Sequence, residues 1–500
     1  MLQLKWWQRL LMPDLAAVAA LVVLYLAVAV WGQQSLLNDS DTGWHIVTGE
    51  RILATCQLPR ADPYSFSKAG EPWFAWEWLA DVIFGAAHKR LGLAGVVCLT
   101  SLALAATAWI WCLFTLRLGG NLLVTAALMI VVVASSTIHW HARPHVFSWS
   151  LLISWLWLLE KTPSTLSVRR ATGMFLLMAA WANLHGSFFL GFFLAAAYIV
   201  QFWLEDRRRA VTAILESSAA LCATLVNPYG WRLHLHLVRY LTNSDMLRQI
   251  SEFQSPDFHG GGIYLAPLFF IAIAGAALCL EQRKYARALV LTLFVAIALR
   301  SARGIPVVAF AALPLAAEPL TRALSSWKTL CEWFRESGNF ERVERECNGG
   351  ALLLAALIMT LGWFSTPPAR AAVQFPEERF PVSAAHQIAR LGPEARIFAP
   401  DQYGGYLIYR FGGTRKVFFD GRSDFYGAQF VNDYVGILLL KPGWKEKFSR
   451  FRFTHAVLPE NHALREALEC AGWRRIYADK TAVLLERPLT PPAAPVCAMP

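Results

Sequence analysis

The segment LAAVAALVVLYLAVAVWGQQSLLNDSDTGWHIVTGERI, residues 15–52, joins an apolar run to a polar stretch that carries two aspartates. The run is longer than most signal-peptide cores, which favours an uncleaved membrane anchor. Asp39 and Asp41 follow at the point where the chain leaves the bilayer. This pair could hold a divalent cation such as Mg²⁺ or Mn²⁺, or supply a base. The alternative is that Asp41 caps the helix that TGWHIVTGERI begins, and the two interpretations are compatible for different members of the pair.

The composition is that of an integral membrane protein. Of the 500 residues, 56% are hydrophobic and 16% are charged, with a mean hydropathy of +0.39, whereas soluble domains are about a quarter charged. The 21 tryptophans suit the lipid–water boundary. The net charge of +11 does not indicate nucleic-acid binding, because most Lys/Arg clusters lie in short connections between apolar runs, where they orient the chain.

Eleven apolar runs predict a polytopic α-helical membrane protein. They lie at 15–31, 93–116, 122–138, 146–159, 171–184, 188–204, 211–226, 263–280, 288–299, 305–317 and 351–364. Several are shorter than the roughly 20 residues of a straight span and abut Pro or Gly, which suggests broken helices around a cavity. A cytoplasmic N-terminus places most Lys/Arg-rich connections inside, as the positive-inside rule requires. A first outer loop, 33–92, a second outer loop, 227–262, and the C-terminal region then lie outside.

The composition also divides the chain into domains. Residues 1–366 form the predicted membrane domain, 367–490 a small exoplasmic α/β domain, and 491–500 a disordered tail. In the α/β domain, ARIFAP, GYLIYRF, RKVFFDG, THAVLP and KTAVLLER are predicted strands, while SAAHQIARLG and HALREALECAG are predicted helices. In the first outer loop, EWLADVIFGAAHKRL has the spacing of a helix that lies along the membrane surface.

Ionisable residues at the ends of spans are candidate site residues, because such groups are costly inside a bilayer. The stretch HWHARPH, residues 139–145, contains a His-X-His pair that could bind a transition metal, although the preference of Trp and His for the interface explains it better. Arg143 precedes a proline at a helix break and suits a pair of phosphate oxygens. Arg300 and Arg303 are cations at another outer break; they could bind a lipid phosphate or extend to headgroups.

Three further polar groups lie on predicted outer turns. Asn183 and His185 either hold a helical hairpin together or contact a substrate. Glu252 is either a second site carboxylate or a solvated loop residue. Asp420 and Arg422 form a structural pair in the preferred interpretation, and face the membrane site from above in the other.

A series of short motifs then follows in a characteristic order. After the aspartate pair come GWHIVTGERIL, PRADPYSFSKAGEPWFAWEWLADVIF, ARPHVFS, WANLHGSFFLG, NPYGW with ISEFQSPDF, ALRSARGIP, and GGYLIYRF with VFFDGR. Over nearly the whole chain this resembles bacterial multi-span proteins of the GT-C glycosyltransferase superfamily, in a branch known mainly as membrane proteins. The resemblance is a fold-level analogy as far as activity is concerned.

The resemblance implies an enzyme that takes a sugar from a polyprenyl-phosphate or polyprenyl-diphosphate carrier on the outer membrane face and passes it to an exoplasmic acceptor. It implies a polyprenyl-linked sugar donor and membrane lipid as partners, and a catalytic acid in the first outer loop. Branch relatives tend to have Asp-Pro-Asp followed by two tryptophans. This chain has Ser40 and Gly43-Trp44 instead, so both aspartates remain candidates.

Specific roles follow from this chemistry. Asp41 is the predicted base, and Asp39 is its partner or a ligand of Mg or Mn. The predicted ligands of the donor phosphate are Arg143, Arg300 and Arg303. The predicted contacts to sugar or acceptor are His45, Asn183, His185 and Glu252.

The predicted location is a bacterial inner membrane. The alternative from another class is a non-catalytic membrane protein, either a lipid-carrier transporter or an envelope assembly scaffold. A transporter would be expected to show internal repeats, and the sequence has none. A scaffold would not need acids and arginines gathered on one face of the bilayer.

Overall fold

The computed structural model describes residues 5–488 and is mostly helical; the tail predicted at 491–500 lies outside the described residues. The helices that coincide with the predicted apolar runs are Leu15–Tyr25, Leu93–Arg117, Leu122–Ser136, His145–Glu160, Val168–Leu184, Leu190–Glu205, Arg207–Ala223, Ala266–Glu281, Tyr285–Arg300, Leu313–Ser325 and Gly350–Ser365. The other helices of this part are Trp6–Leu11, Gly32–Leu36, Asp41–Thr55, Trp78–Leu91, Arg232–Thr242, Ser244–Leu247, Ile305–Val307, Lys328–Glu344 and Pro367–Ala372. Short 3₁₀ turns occur at Thr137–His139, Gly186–Phe189, Ser251–Phe253, Gly261–Leu265 and Ala302–Gly304, and π-helical turns at Leu26–Val30 and Val308–Ala312.

Six helical stretches within the described residues are long and apolar enough to cross a membrane. They are Trp6–Val30, Leu93–Arg117, Leu122–His139, Gly186–Glu205, Gly261–Glu281 and Ala302–Ser325. The chain is therefore an integral membrane protein, while the count of eleven spans stays a prediction. The expected helix breaks are present, because Gly186 and Gly304 lie in 3₁₀ turns and Pro144 precedes the helix His145–Glu160.

Two helices of the first outer loop, Asp41–Thr55 and Trp78–Leu91, pack against each other at backbone distance. A Cβ atom added at Gly49 would collide with the backbone of Asp81, and one added at Gly85 would collide with the first helix in the same way. Glycine at both positions thus permits the contact. The second helix was expected from its spacing, and its position along the membrane surface stays a prediction.

The C-terminal part contains four strands, β1 Ile397–Phe398, β2 His455–Leu458, β3 Arg474–Ala478 and β4 Val483–Glu486. They form one sheet of order β1-β2-β4-β3. Strand β1 runs parallel to β2, and the other two pairs are antiparallel. The helices around it are Val382–Ile388, Asp401–Arg410, Ser423–Leu438, Trp444–Arg450 and Ala463–Cys470. This is a small α/β arrangement, while its boundary at residue 366 stays a prediction.

Two of the predicted strands were wrong. GYLIYRF lies in the helix Asp401–Arg410. RKVFFDG forms no named strand among the described residues, and its Val417 makes one isolated bridge with Ser65. Both segments contact the first outer loop, and β-propensity carries no information about that partner. Strand β3 and the helix Ser423–Leu438 were not predicted.

The C-terminal domain rests directly on the first outer loop. A Cβ atom at Gly405 would collide with the backbone of Ser40, and one at Gly43 would collide with Gly405. An ion pair at 2.8 Å joins Arg422 to Asp62. These contacts place the soluble domain over the segment that carries the two aspartates.

Candidate functional site

A cavity of about 1150 Å³ lies between the two outer loops, the adjoining helix ends and the C-terminal domain. It slightly exceeds the range of about 300–1,000 Å³ that is usual for small-molecule sites. The predicted site residues on its wall are Asp39, Asp41, Arg143, His185, Glu252, Arg300 and Arg303. The structure thus gathers acids and arginines that are far apart in the sequence.

Arg143 is the central cation of this cavity. Its Nη1 lies 2.9 Å from Asp39 Oδ2 and 3.0 Å from Glu252 Oε1, while its Nη2 lies 3.0 Å from Asp41 Oδ2. The neighbouring Ala142 accepts a hydrogen bond from the Thr42 hydroxyl at 3.0 Å, which ties the Arg143 turn to the first outer loop. One guanidinium therefore joins three carboxylates.

Asp39 both caps a helix and pairs with Arg143. Its Oδ1 accepts a hydrogen bond from the backbone N–H of Asp41 at 2.9 Å, a contact that satisfies a free donor at the start of the helix Asp41–Thr55. The capping contact expected of Asp41 is thus made by Asp39. Burial would raise the pKa of Asp39, but Arg143, together with His141 and the backbone N–H of Asp41, holds the pKa below its usual value. Asp39 is therefore an ionised partner of the arginine.

Asp41 lies deeper and is differently balanced. Its Oδ1 accepts a hydrogen bond from Trp44 Nε1 at 3.1 Å, and a Cβ atom at Gly421 would collide with its carboxylate. Burial and the neighbouring carboxylates raise the pKa of Asp41 to about 7, although Arg143 opposes the shift. A carboxylate that titrates near neutrality can take up and release a proton.

Glu252 joins two of the predicted phosphate-binding arginines. Besides its contact with Arg143, it accepts a hydrogen bond from Arg303 Nε at 2.6 Å. The Arg303 guanidinium also lies over the Phe253 ring, 4.4 Å from its centroid. Burial would raise the pKa of Glu252, but the two arginines hold it well below its usual value. Glu252 is thus an anion already seated between the cations.

Arg300 and His185 also reach the wall. Arg300 is exposed at the rim, and no ion pair to it exists within residues 5–488. His185 Nδ1 contacts the Ser187 hydroxyl at 2.8 Å, while its Nε2 lies 3.5 Å from a Glu77 oxygen.

Two predicted substrate contacts are not on the wall of this cavity. His45 is buried, and its Nδ1 lies 2.5 Å from Asp81 Oδ1. Asn183 accepts a hydrogen bond from Trp78 Nε1 at 2.8 Å and donates one to the Val226 carbonyl at 2.7 Å. The contacts of Asn183 are those of the hairpin interpretation.

Two acids of the first outer loop were not among the predicted site residues. Glu77 lies on the cavity wall, and burial raises its pKa to about 8. Burial also raises the pKa of Asp81 well above its usual value, and Glu77 adds to that shift. Their spacing could have identified them, because residues four apart share one helix face. Glu77 and Asp81 lie on the polar face of this helix, opposite its apolar residues.

Arg422 lies on the cavity wall and belongs to a buried ion cluster. Its Nε lies 2.7 Å from Asp420 Oδ1 and its Nη2 2.8 Å from Asp62 Oδ1. Its guanidinium also stacks near Trp73, 4.6 Å from the ring centroid. These contacts join the C-terminal domain to the first outer loop, as in the structural interpretation of the pair.

The structure is similar to several solved structures. The oligosaccharyltransferase of Archaeoglobus fulgidus in the apo form matches over 96% of this chain and 74% of that chain, with a TM-score of 0.57 and 10% identity. ArnT from Cupriavidus metallidurans matches over 94% of this chain and 97% of that chain at 14% identity, with TM-scores of 0.50 for the form bound to undecaprenyl phosphate and 0.51 for the apo state. The chain has the GT-C fold. No protein-family model and no curated protein matches the sequence.

In this GT-C fold, the carboxylates of the aspartate pair face an arginine. Within the described residues, no group of three or more His, Cys, Asp or Glu side chains is arranged to hold a metal ion. The carboxylates of Asp39, Asp41 and Glu252 converge instead on the Arg143 guanidinium. A cation there would meet the positive charge of the arginine, and binding of Mg²⁺ or Mn²⁺ by the pair stays a prediction.

Proposed function

We propose that this protein is a membrane glycosyltransferase that moves a sugar from a polyprenyl-phosphate or polyprenyl-diphosphate carrier to an exoplasmic acceptor. The proposal places the chain in a bacterial inner membrane, with the N-terminus in the cytoplasm and the C-terminal domain in the periplasm. The GT-C fold supports it, and so does the undecaprenyl phosphate bound in one matched ArnT structure.

The convergence of acids and arginines on one cavity carries the proposal. A lipid-linked donor keeps its tail in the bilayer while its head reaches water, so its site must lie at the ends of the membrane helices. Arg143 and Arg303 lie at helix breaks on the wall of this cavity, and Asp41 lies on the same wall. A phosphate-binding pair beside a titratable carboxylate is what glycosyl transfer from such a donor requires.

The donor phosphate is placed at the arginines. Glu252 now bridges Arg143 and Arg303, and a phosphate presents similarly spaced oxygens with more negative charge. Donor binding in this proposal displaces Glu252 from between them. Arg300, exposed at the rim, meets the remaining phosphate oxygens.

The proposed reaction forms a bond between the acceptor oxygen and the anomeric carbon and breaks the bond from that carbon to the carrier phosphate. The electron pair of the broken bond leaves on the phosphate oxygen, where Arg143 and Arg303 stabilise the charge. The acceptor proton passes to the Asp41 carboxylate. Asp39 keeps Arg143 oriented throughout.

The test compares cells that lack the gene after complementation with wild type, Asp41→Asn or Asp245→Asn. Asp245 is exposed and lies off the cavity wall, so its variant is the matched control. Mass spectrometry of lipid-linked sugars and envelope glycans should show donor accumulation and product loss with Asp41→Asn only. Full product formation by Asp41→Asn at normal expression would contradict the proposal.

A further inference from the structure

Glu77 occupies a distinctive place in the cavity. It is the residue from which the helix Trp78–Leu91 starts, and only 12% of its side chain is exposed. A carboxylate so deeply buried normally receives hydrogen bonds. Within residues 5–488, however, neither Glu77 oxygen accepts one.

Two imidazoles flank the Glu77 carboxylate without closing on it. His185 Nε2 lies 3.5 Å from one oxygen and His45 Nε2 lies 3.9 Å from the other. Both separations exceed the usual hydrogen-bond length. The carboxylate is therefore held between two rings but left with unused acceptor capacity that faces the cavity.

The tautomer of His185 follows from its other contacts. Its Nδ1 accepts a hydrogen bond from the Ser187 backbone N–H at 3.2 Å, so in the neutral ring the hydrogen is on Nε2. This nitrogen is the one that lies 3.5 Å from the Glu77 oxygen. A ligand hydroxyl within hydrogen-bond distance of both atoms would accept from His185 and donate to Glu77.

His45 and Asp81 support Glu77 from behind. The 2.5 Å contact between His45 Nδ1 and Asp81 Oδ1 fixes the imidazole ring. His45 Nε2, on the Glu77 side, is buried and makes no hydrogen bond among the described residues. Asp81 therefore holds the His45 ring in place, and this ring limits how far the Glu77 side chain can rotate away from the cavity.

An aromatic surface lies next to this carboxylate. The Trp76 ring lies on the cavity wall, and a Cβ atom at Gly186 would collide with it. An aromatic ring beside a carboxylate and an imidazole N–H offers an apolar face together with hydrogen-bond acceptors and donors. A pyranose or furanose ring, with its C–H faces and hydroxyl groups, matches this combination.

Resting on the proposed function, the geometry points to Glu77 as the carboxylate that binds a sugar hydroxyl group in this cavity. His185 donates to the same hydroxyl, and Trp76 packs against the ring. His45 and Asp81 are positioning residues. The sugar is either that of the lipid-linked donor or that of a carbohydrate acceptor, since both present the same chemistry.

The charges around Glu77 predict how pH acts on this subsite. The groups that face it are Asp41, His45, Asp81, Arg143, His185, Arg303 and Asp424. Burial, aided by Asp424, raises the pKa of Glu77 to about 8 against the pull of Arg143. Ionised Glu77 accepts the stronger, charge-assisted hydrogen bond, so sugar binding strengthens as pH rises through about 8.

The test measures binding to purified full-length protein in lipid nanodiscs. One arm compares undecaprenyl phosphate with a panel of undecaprenyl-phosphate-linked hexoses and pentoses, and the ratio of their Kd values is the sugar increment. The other arm measures binding of free methyl glycosides and short oligosaccharides while undecaprenyl phosphate is bound. The variants are Glu77→Ala and Glu77→Gln, with Glu71→Gln, an exposed acid of the same loop, as control.

Above about pH 8, where Glu77 is ionised, Glu77→Ala should reduce the sugar increment about tenfold or more in one arm, as expected for loss of a hydrogen bond to a charged group. Binding of bare undecaprenyl phosphate should not change, which also shows that the variant folds. Glu77→Gln should keep part of the increment and lose its rise with pH, a change that a purely structural role would not produce. The arm that responds identifies the donor or the acceptor as the source of the sugar.

Two outcomes would overturn the inference. One is that the sugar increment survives Glu77→Ala in both arms. The other is that wild type shows no sugar increment with any lipid-linked sugar or free glycoside tested. If wild type also fails to bind undecaprenyl phosphate, the proposed function fails with it. Lipid binding without a Glu77-dependent increment removes the inference alone.

Discussion

At the scale of single residues, the cavity is governed by competition for Arg143. Three carboxylates share one guanidinium, and they differ in how strongly they hold it. Asp39 and Glu252 have lowered pKa values, whereas that of Asp41 is raised to about 7. A bound phosphate therefore competes with ionised side chains and not with water alone.

The first prediction concerns Glu252. Replacing it by Gln removes the carboxylate that occupies Arg143 and Arg303, so undecaprenyl phosphate should bind about tenfold more tightly, in line with loss of a competing charge-assisted hydrogen bond. Titration in nanodiscs measures this, with Glu71→Gln as control. Weaker binding would contradict this competition between Glu252 and the phosphate.

The second prediction concerns pH. Asp41 accepts a proton only when ionised, and because its pKa is raised to about 7, kcat/KM should fall about tenfold for each pH unit below that value. Initial rates of sugar transfer from about pH 5 to pH 7 measure this limb. A flat profile over that interval would exclude Asp41 as the base.

Sequence patterns identified part of this chemistry. Asp39, Asp41, Arg143 and Arg303 were recognisable because charged groups at span ends are costly and rarely accidental. Glu77 was not recognised, because it lies beside tryptophans in a segment whose spacing predicts a helix at the membrane interface. Asn183 and His45 were named as substrate contacts from local sequence, which cannot indicate whether a side chain turns toward a cavity or a neighbouring helix.

At the scale of elements, glycine contacts set the distance between the outer helices and the C-terminal domain. Gly43 and Gly405 let the helices Asp41–Thr55 and Asp401–Arg410 approach at the level of the backbone. The latter segment was expected to be a strand, because its aromatic and aliphatic residues favour β-structure. Its helical form follows from tertiary contacts that no local pattern contains.

The third prediction tests this contact. Gly405→Ala introduces a methyl group against the Ser40 backbone, so it should destabilise the protein by about 1–3 kcal/mol. Thermal unfolding in detergent, followed by tryptophan fluorescence, should show a lower Tm. Gly173→Ala, in a helix where an added Cβ meets nothing within 4 Å, is the control and should leave the Tm unchanged or slightly higher. Equal effects of the two substitutions would contradict the packing described.

At the scale of the whole molecule, the property to establish is the orientation of the chain in the membrane. The apolar runs predicted the helices well, because long hydrophobic stretches permit few alternatives. Positive-inside asymmetry then supplied a direction. The sequence left open whether the C-terminal domain faces the cavity, because that depends on how the domain docks.

The fourth prediction uses two exposed cysteines, Cys56 and Cys331. Cys56 belongs to the first outer loop, and Cys331 to the helix Lys328–Glu344 of a predicted inner connection. Each variant retains Cys56 or Cys331 as its single cysteine. A membrane-impermeant maleimide should label Cys56 in spheroplasts. It should label Cys331 only in inverted vesicles. The reverse pattern would invert the proposed topology.

The pairing of Arg143 with three carboxylates also affects which anions the cavity can bind. In the proposed orientation the cavity opens to the periplasm, where it is continuously exposed to inorganic phosphate, sulfate and nucleotides. Because the guanidinium is already saturated by side chains, a soluble anion gains little by entering, whereas a lipid-tethered one is delivered at high local concentration by the membrane itself. Millimolar free phosphate should consequently be a poor inhibitor of this protein.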